Sequence, residues 1–324
     1  MSDKPTILFV DDEERILRSL KMLFMGTFKV KTTTDGREAI EMLKQETVHV
    51  LVSDQRMPNM TGVEVLREAR NVSPNTMRLL LTGYSDLAAI VGSVNEGEIF
   101  RYINKPWKSE EIKAIVEQAA QIAIQLGSAS KSAPSKQVAA KIQAEPSISD
   151  EAEGLKILVL DEEPSTYEII EELIKESKNI HWSKNVEDAF AHLSQETVAI
   201  VVSEVRIQDE DISAPLKTLK RYNPNILTLV LTSFQDTKSL IELINYGQVY
   251  RFLPKPIHKG LLEKSLRAAM QHYRAMQARP ELLMRHVVEK PKEAESTAHR
   301  ISDKVLGYLK KIRARRPDSS EAVH

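Results

Sequence analysis

Five side chains in the first third of the sequence carry groups that suit one reaction: Asp11, Asp12, Asp54, Thr82 and Lys105. They stand at or just after the ends of short apolar runs that read as β-strands: TILFV before Asp11, VHVLVS before Asp54, MRLLL before Thr82 and IFRYI shortly before Lys105. In an open parallel sheet, ligands sit beyond the carboxyl ends of the strands, where the strand order reverses, so these positions are placed to converge on one pocket. Three carboxylates without Cys or His form a hard oxygen site that suits Mg²⁺, with waters completing an octahedron. A hydroxyl and an ammonium beside them suit a phosphoryl group, and Asp54 becomes a credible nucleophile toward it.

Taken singly, each residue has a plainer reading. Asp11 to Glu14 make an acidic first turn of a helix, Thr82 a cap and Lys105-Pro106 a turn. The joint placement at strand ends favours the shared pocket.

The elements that must position these groups follow from the apolar pattern. Strands are expected at Thr6 to Val10, Val30 to Thr32, Val48 to Ser53, Met77 to Thr82 and Ile99 to Ile103. Helical spacing runs over Arg15 to Met25, Gly36 to Gln45, Gly62 to Asn71, Asp86 to Asn95 and Ser109 to Leu126. This alternation is that of an α/β domain with a five-stranded parallel sheet covered on both faces.

The whole pattern then repeats. Gln45-Glu46-Thr47-Val48 recurs 150 residues later as Gln195-Glu196-Thr197-Val198. The same offset carries Asp11 to Asp161, Ser53 to Ser203, Thr82 to Thr232, Lys105 to Lys255 and Pro106 to Pro256.

The segments ILFVDDEE, LVSDQRMPNMTG, LLLTGYSD and FRYINKPW together resemble the bacterial response-regulator receiver domain, over nearly all of residues 4 to 126. The resemblance implies a flavodoxin-like fold, a five-stranded doubly wound parallel sheet. It also implies that Asp54 accepts a phosphoryl group from a histidine kinase or phosphotransfer protein, that Asp11, Asp12 and Asp54 hold Mg²⁺, and that Thr82 and Lys105 contact the phosphoryl group. Tyr102 would be the switch aromatic; its plainer reading is a Tyr packed at a sheet edge. The wording LTGYSD and RYINKPW looks most like receivers attached to HD-GYP phosphodiesterases or similar outputs.

The second copy departs at the acceptor. Asp161, Glu162, Thr232 and Lys255 are kept, but Glu204 stands where Asp54 does and Phe252 where Tyr102 does. Glu204 either pairs with Lys255 and mimics an activated state or marks a copy that has lost regulation and serves as a docking module. Gln208 to Ser213 lacks the MPNMTG wording, so a remodelled loop is expected there.

The expected organisation is an active receiver over 1–126, a linker over 127–153, a degenerate receiver over 154–277 and a basic amphipathic helical tail over 278–324. The linker is rich in Ser, Ala, Lys and Pro, with a helical continuation over 136–143 as the alternative. In the tail, Ile301, Val305, Leu309 and Ile312 fall on one side among Lys304, Lys310, Lys311, Arg313, Arg315 and Arg316. It reads as a helix that docks on a protein partner, an anionic membrane surface or, weakly, nucleic acid, or as one packed on the receivers themselves.

The chain has no cysteine and a formal net charge of -1, which excludes disulfides and thiolate metal sites and gives no global pull toward polyanions. No signal peptide or transmembrane segment is legible, and a cytoplasmic location is expected. The tail is short for a helix-turn-helix, so specific DNA binding is not expected, nor is a catalytic output domain. The function expected is a phosphorylation-responsive adaptor signalling by protein contact to an unknown downstream partner, with a homodimer compatible with the fold. The alternatives are a phosphate sink or phosphorelay intermediate draining a kinase, and a transcription regulator acting through the basic tail.

Overall fold

The computed structural model describes residues 4–83, 91–92, 94–96, 98–132, 147–175, 177–233, 237–280, 282–283 and 303–314. The chain forms two compact units, Met1–Val138 and Ala139–His324.

In the first unit the strands are β1 (Thr6–Val10), β2 (Lys29–Thr33), β3 (Val50–Asp54), β4 (Met77–Thr82) and β5 (Arg101–Asn104). They pair in parallel in the order β2-β1-β3-β4-β5. All five residues of β1 are buried, because helices cover both faces of a parallel sheet and leave no solvent side on which to alternate. The helices are α1 (Glu14–Phe24), α2 (Gly36–Gln45), α3 (Gly62–Val72) and α4 (Ser109–Ser132). Asp35 starts α2 by accepting from the Arg37 amide at 2.7 Å, and Thr61 and Glu64 close a capping box at the start of α3. The expected helix over Asp86 to Asn95 lies largely outside the described residues; residues 91–92 and 94–96 are helical.

The second unit repeats this plan with β6 (Ile157–Leu160), β7 (Ile180–Ser183), β8 (Ile200–Glu204), β11 (Leu227–Thr232) and β12 (Arg251–Pro254), in the order β7-β6-β8-β11-β12. Its helices are α6 (Ser165–Ile174), α7 (Val186–Gln195), α8 (Ser213–Tyr222), α9 (Thr237–Gly247) and α10 (Lys259–Ala278). Both units are flavodoxin-like doubly wound domains.

Three features go beyond the repeat. The segment expected as linker is ordered at both ends: α4 continues to Ser132, and α5 (Ile148–Ala152) packs against α6 and α10. The Arg274 guanidinium holds the end of α5 through the Glu151 and Glu153 carbonyls at 3.1 and 2.9 Å. The residues between, 133–146, including the alternative helix over 136–143, lie outside the described residues.

The loop after β8 is rebuilt as a two-stranded ribbon, β9 (Arg206–Ile207) and β10 (Glu210–Asp211). Its two turn residues, Gln208 and Asp209, both have positive φ, 52° and 60°, the pattern a type I′ hairpin requires. Finally, within the tail, α11 (Asp303–Ala314) packs on α7 and α8 of its own unit. Among the described residues no helix is long and apolar enough to cross a membrane.

Candidate phosphoacceptor site

Strand order reverses between β1 and β3, so the chain ends of these two neighbours open onto the same crevice. Asp11 follows β1 and is 1% exposed; Asp54 closes β3 and is 5% exposed. Lys105 follows β5 and reaches back between them, its ammonium 2.8 Å from Asp11 Oδ2 and paired with Asp54 Oδ1. The remaining oxygens are held by backbone amides. Asp11 Oδ1 accepts from Glu13 at 2.9 Å, and Asp54 Oδ2 accepts from Arg56 at 2.6 Å.

Charge in the crevice is balanced by this arrangement. Burial pushes the Asp11 carboxyl above its ordinary pKa, against the opposing pull of Lys105. Burial alone would depress Lys105, but its hydrogen bonds to Asp11 and Asp54 outweigh that and raise it. The ammonium is therefore a fixed cation between two carboxylates.

Thr82 is buried beside Asp54 on the neighbouring strand, with its hydroxyl 3.5 Å from the Gly83 carbonyl and not on either carboxylate. Tyr102 is buried in β5, its hydroxyl donating to the Thr82 and Gly83 carbonyls at 3.3 and 3.1 Å. Asp12 is exposed at the rim, and among the described residues no group of three acidic or histidine side chains is drawn together. The donor set is all oxygen, as a hard dication needs, with two buried carboxylates converging on one cation and Asp12 one residue away on the rim. The chemistry of these donors suits Mg²⁺.

Two supports were not legible beforehand. Gln55 is buried, and its side-chain oxygen accepts from the Val63 amide at 3.1 Å, tying the loop after Asp54 to the start of α3. Gly62 lies so close that a Cβ there would run into the Asp54 carbonyl.

A family model described as the response regulator receiver domain matches residues 7–117 and again residues 157–267. The chain belongs to the response regulator receiver family. Among its relatives is the hydrogenase transcriptional regulatory protein HoxA of Cupriavidus necator, 42% identical over 120 residues, which are 37% of this chain and 25% of that protein. The transcriptional regulatory protein FixJ of Rhizobium meliloti is 33% identical over 117 residues, 36% of this chain and 57% of that protein. The chain thus spans a quarter to about half the length of these relatives. Among solved structures, the signal receiver domain of an HD domain-containing protein from Pseudomonas fluorescens is 32% identical, over 40% of this chain and 95% of that one, at a TM-score of 0.38.

The second receiver keeps the cation and alters its surroundings. Lys255 pairs with Glu204 and lies 3.4 Å from Asp161. Burial raises the Glu204 carboxyl above its ordinary range against the pull of Lys255. Asp161 Oδ2 also accepts from the Thr166 hydroxyl at 2.7 Å, a bond without a counterpart in the first receiver, where Ile16 stands. Glu162, the partner of Asp12 in the repeat, accepts from the Gln208 amide of the rebuilt hairpin. Thr232 ends β11, and its carbonyl accepts from the Lys255 amide at 3.0 Å. Phe252 is fully buried in β12 in the place of Tyr102. The polar Thr166 was a legible signal, an isolated hydroxyl where the first copy has an aliphatic side chain. The diversion of Glu162 was not.

Proposed function

We propose that this chain is a response regulator in which only the first receiver takes up a phosphoryl group, on Asp54, from a histidine kinase or phosphotransfer protein, and that it signals by protein contact. The carrying observation is the contrast between the two lysine bridges. In the first receiver Lys105 spans Asp11 and Asp54, with Asp12 left at the rim; in the second the counterpart of Asp12, Glu162, is taken by the Gln208 amide, and Asp161 carries an added bond from Thr166.

In the reaction, an Asp54 carboxylate oxygen attacks phosphorus, the acyl phosphate bond forms, and the bond from phosphorus to the donor's leaving atom breaks. Mg²⁺ held by Asp11, Asp12 and Asp54 would offset the negative charge of the carboxylate and the phosphoryl oxygens. Lys105 supplies the fixed positive charge for one phosphoryl oxygen, leaving Asp54 for it. Thr82 lies on the adjacent strand, where rotation of its hydroxyl away from Gly83 brings it to another. Tyr102, bonded to the carbonyls of Thr82 and Gly83, then reports that rearrangement to the face around β5. The location proposed is the cytoplasm, where such kinases deliver their phosphoryl groups.

The test is phosphoryl incorporation from a small-molecule donor with Mg²⁺, read by intact mass on wild type, Asp54→Ala and Glu204→Ala. One group, absent only from Asp54→Ala, is the expected result. No incorporation under conditions that modify a control receiver would overturn it. The lifetime of the phosphorylated form separates a switch, which persists, from a phosphate sink, which hydrolyses quickly.

A further inference from the structure

The two receivers solve the packing of the same helix pair in different ways. In the first, α2 lies directly on α3, and Gly36 makes this possible: a Cβ there would meet Val65 Cγ2 at 2.6 Å and the Met60 side chain at 3.1 Å. At the matching positions of the second receiver stand Val186 for Gly36 and Pro215 for Val65. There α7 and α8 barely touch, and α11 lies against both.

Beside α11 lies an open cleft walled by Val305 and Tyr308 of α11 itself, by Val186 and Ala191 of α7, by Ile207 of the hairpin, and by Ile212 and Pro215 at the start of α8. Val305 and Ile312, two helical turns apart and so on one face, are 4% and 6% exposed. Tyr308 lines the cleft between them in sequence, while Lys310 and Lys311 are exposed. Val305 and Ile312 of the expected stripe are thus spent on their own receiver and Lys310 and Lys311 are left to solvent, while the side chains of Ile301, Lys304, Leu309, Arg313, Arg315 and Arg316 lie outside the described residues. A helix of twelve residues is marginal alone in water, so docking is what makes this segment helical.

The same cleft touches the degenerate site. Its wall includes Ile207, Gln208 and Glu210 of the hairpin, and Gln208 is the residue whose amide holds Glu162. We propose that α11, which packs on α7 and α8 and shares the walls of this cleft with the hairpin, holds the hairpin in the conformation that ties up Glu162. The tail therefore belongs to the second receiver, a strap across this helix pair. This inference is independent of phosphorylation at Asp54.

Amide hydrogen exchange on the full-length chain tests it, comparing wild type with Val305→Asp/Ile312→Asp. The expected result is at least tenfold faster exchange in α11, in α7, in α8 and over residues 206–211, with the first receiver unchanged. A peptide spanning residues 299–317, added to the variant, should restore the slow exchange of α7 and residues 206–211. If the double variant unfolds the second receiver outright, Val305→Ala/Ile312→Ala carries the test: tenfold faster exchange over 206–211 with β8 still protected is the supporting outcome. Exchange over 206–211 that is the same in wild type and both variants overturns the proposal. So does an α11 that exchanges at the rate of the free peptide in wild type, or that gains protection only when anionic vesicles are added.

Discussion

Lys220 in the second receiver and Arg78 in the first serve the same pair of backbone carbonyls from different places in the chain. Arg78, on β4, donates to the Thr76 and Pro74 carbonyls at 2.8 and 3.5 Å. Lys220, on α8, donates to Ile226 and Pro224, the matching positions, at 2.6 and 2.9 Å. The repeat replaces Arg78 by Thr228 and supplies the missing donor from the neighbouring helix.

Lys220 is fully buried, and burial lowers its pKa to about 7. A neutral amine has two N–H donors, enough for two carbonyls. The folded state binds its proton more weakly than the unfolded chain, so this group's contribution to stability grows as pH rises from about 7 toward 10.5 and is lost below about 7. Denaturant melts of the second receiver should show that rise, and Lys220→Met should flatten it. The substitution should also cost about 2 kcal/mol by leaving two buried carbonyls without a donor.

His49 acts on the first receiver in the same direction, in a more acidic window. Its Nδ1 accepts from the Thr6 amide at 3.0 Å, which requires an unprotonated nitrogen, and burial holds its pKa below the ordinary 6.5. A histidine with a depressed folded pKa contributes fully above 6.5 and loses that contribution as pH falls through the folded value. Melts between pH 7 and 5 should show the first receiver weakening, and His49→Leu should remove the slope. A variant as acid-sensitive as wild type would refute this.

Gly62 should not tolerate a side chain. A Cβ would collide with the Asp54 carbonyl, and Leu80 Cδ1 stands 2.9 Å away. Gly62→Ala is expected to lower the stability of the first receiver by about 1 to 3 kcal/mol and to reduce phosphoryl uptake by displacing Asp54. Thermal melting and intact mass on the same sample check both.

Restoring an aspartate should not by itself restore an acceptor. Glu204→Asp leaves Glu162 on Gln208 and Asp161 on Thr166, so no phosphoryl uptake by the second receiver is expected. Uptake by Asp54→Ala/Glu204→Asp at the level of wild type would show that residue 204 alone silences the site.

Tyr102→Phe removes the hydroxyl bonded to Thr82 and Gly83 while keeping the ring, as Phe252 does naturally. It should cost about 1 kcal/mol of stability and leave uptake at Asp54 intact. Any loss should fall on partner binding, measurable by titration of the phosphorylated protein.

The sequence by itself determined the parallel sheets, the repeat and the strand-end placement of Asp11, Asp54, Thr82 and Lys105, because continuous apolar runs and strand-end polarity are local properties of the chain. It also marked Glu204 as the departure. Only the tertiary structure decided what depends on side chains far apart in sequence meeting in space. Lys105 lies 94 residues from Asp11 yet bridges it to Asp54. Glu162 is drawn off by Gln208, 46 residues on, because the rebuilt hairpin turns its amide toward it. The tail's amphipathic spacing was legible, but its seat was not: α11 packs on both α7 and α8, and those two helices lie side by side only once the sheet has formed.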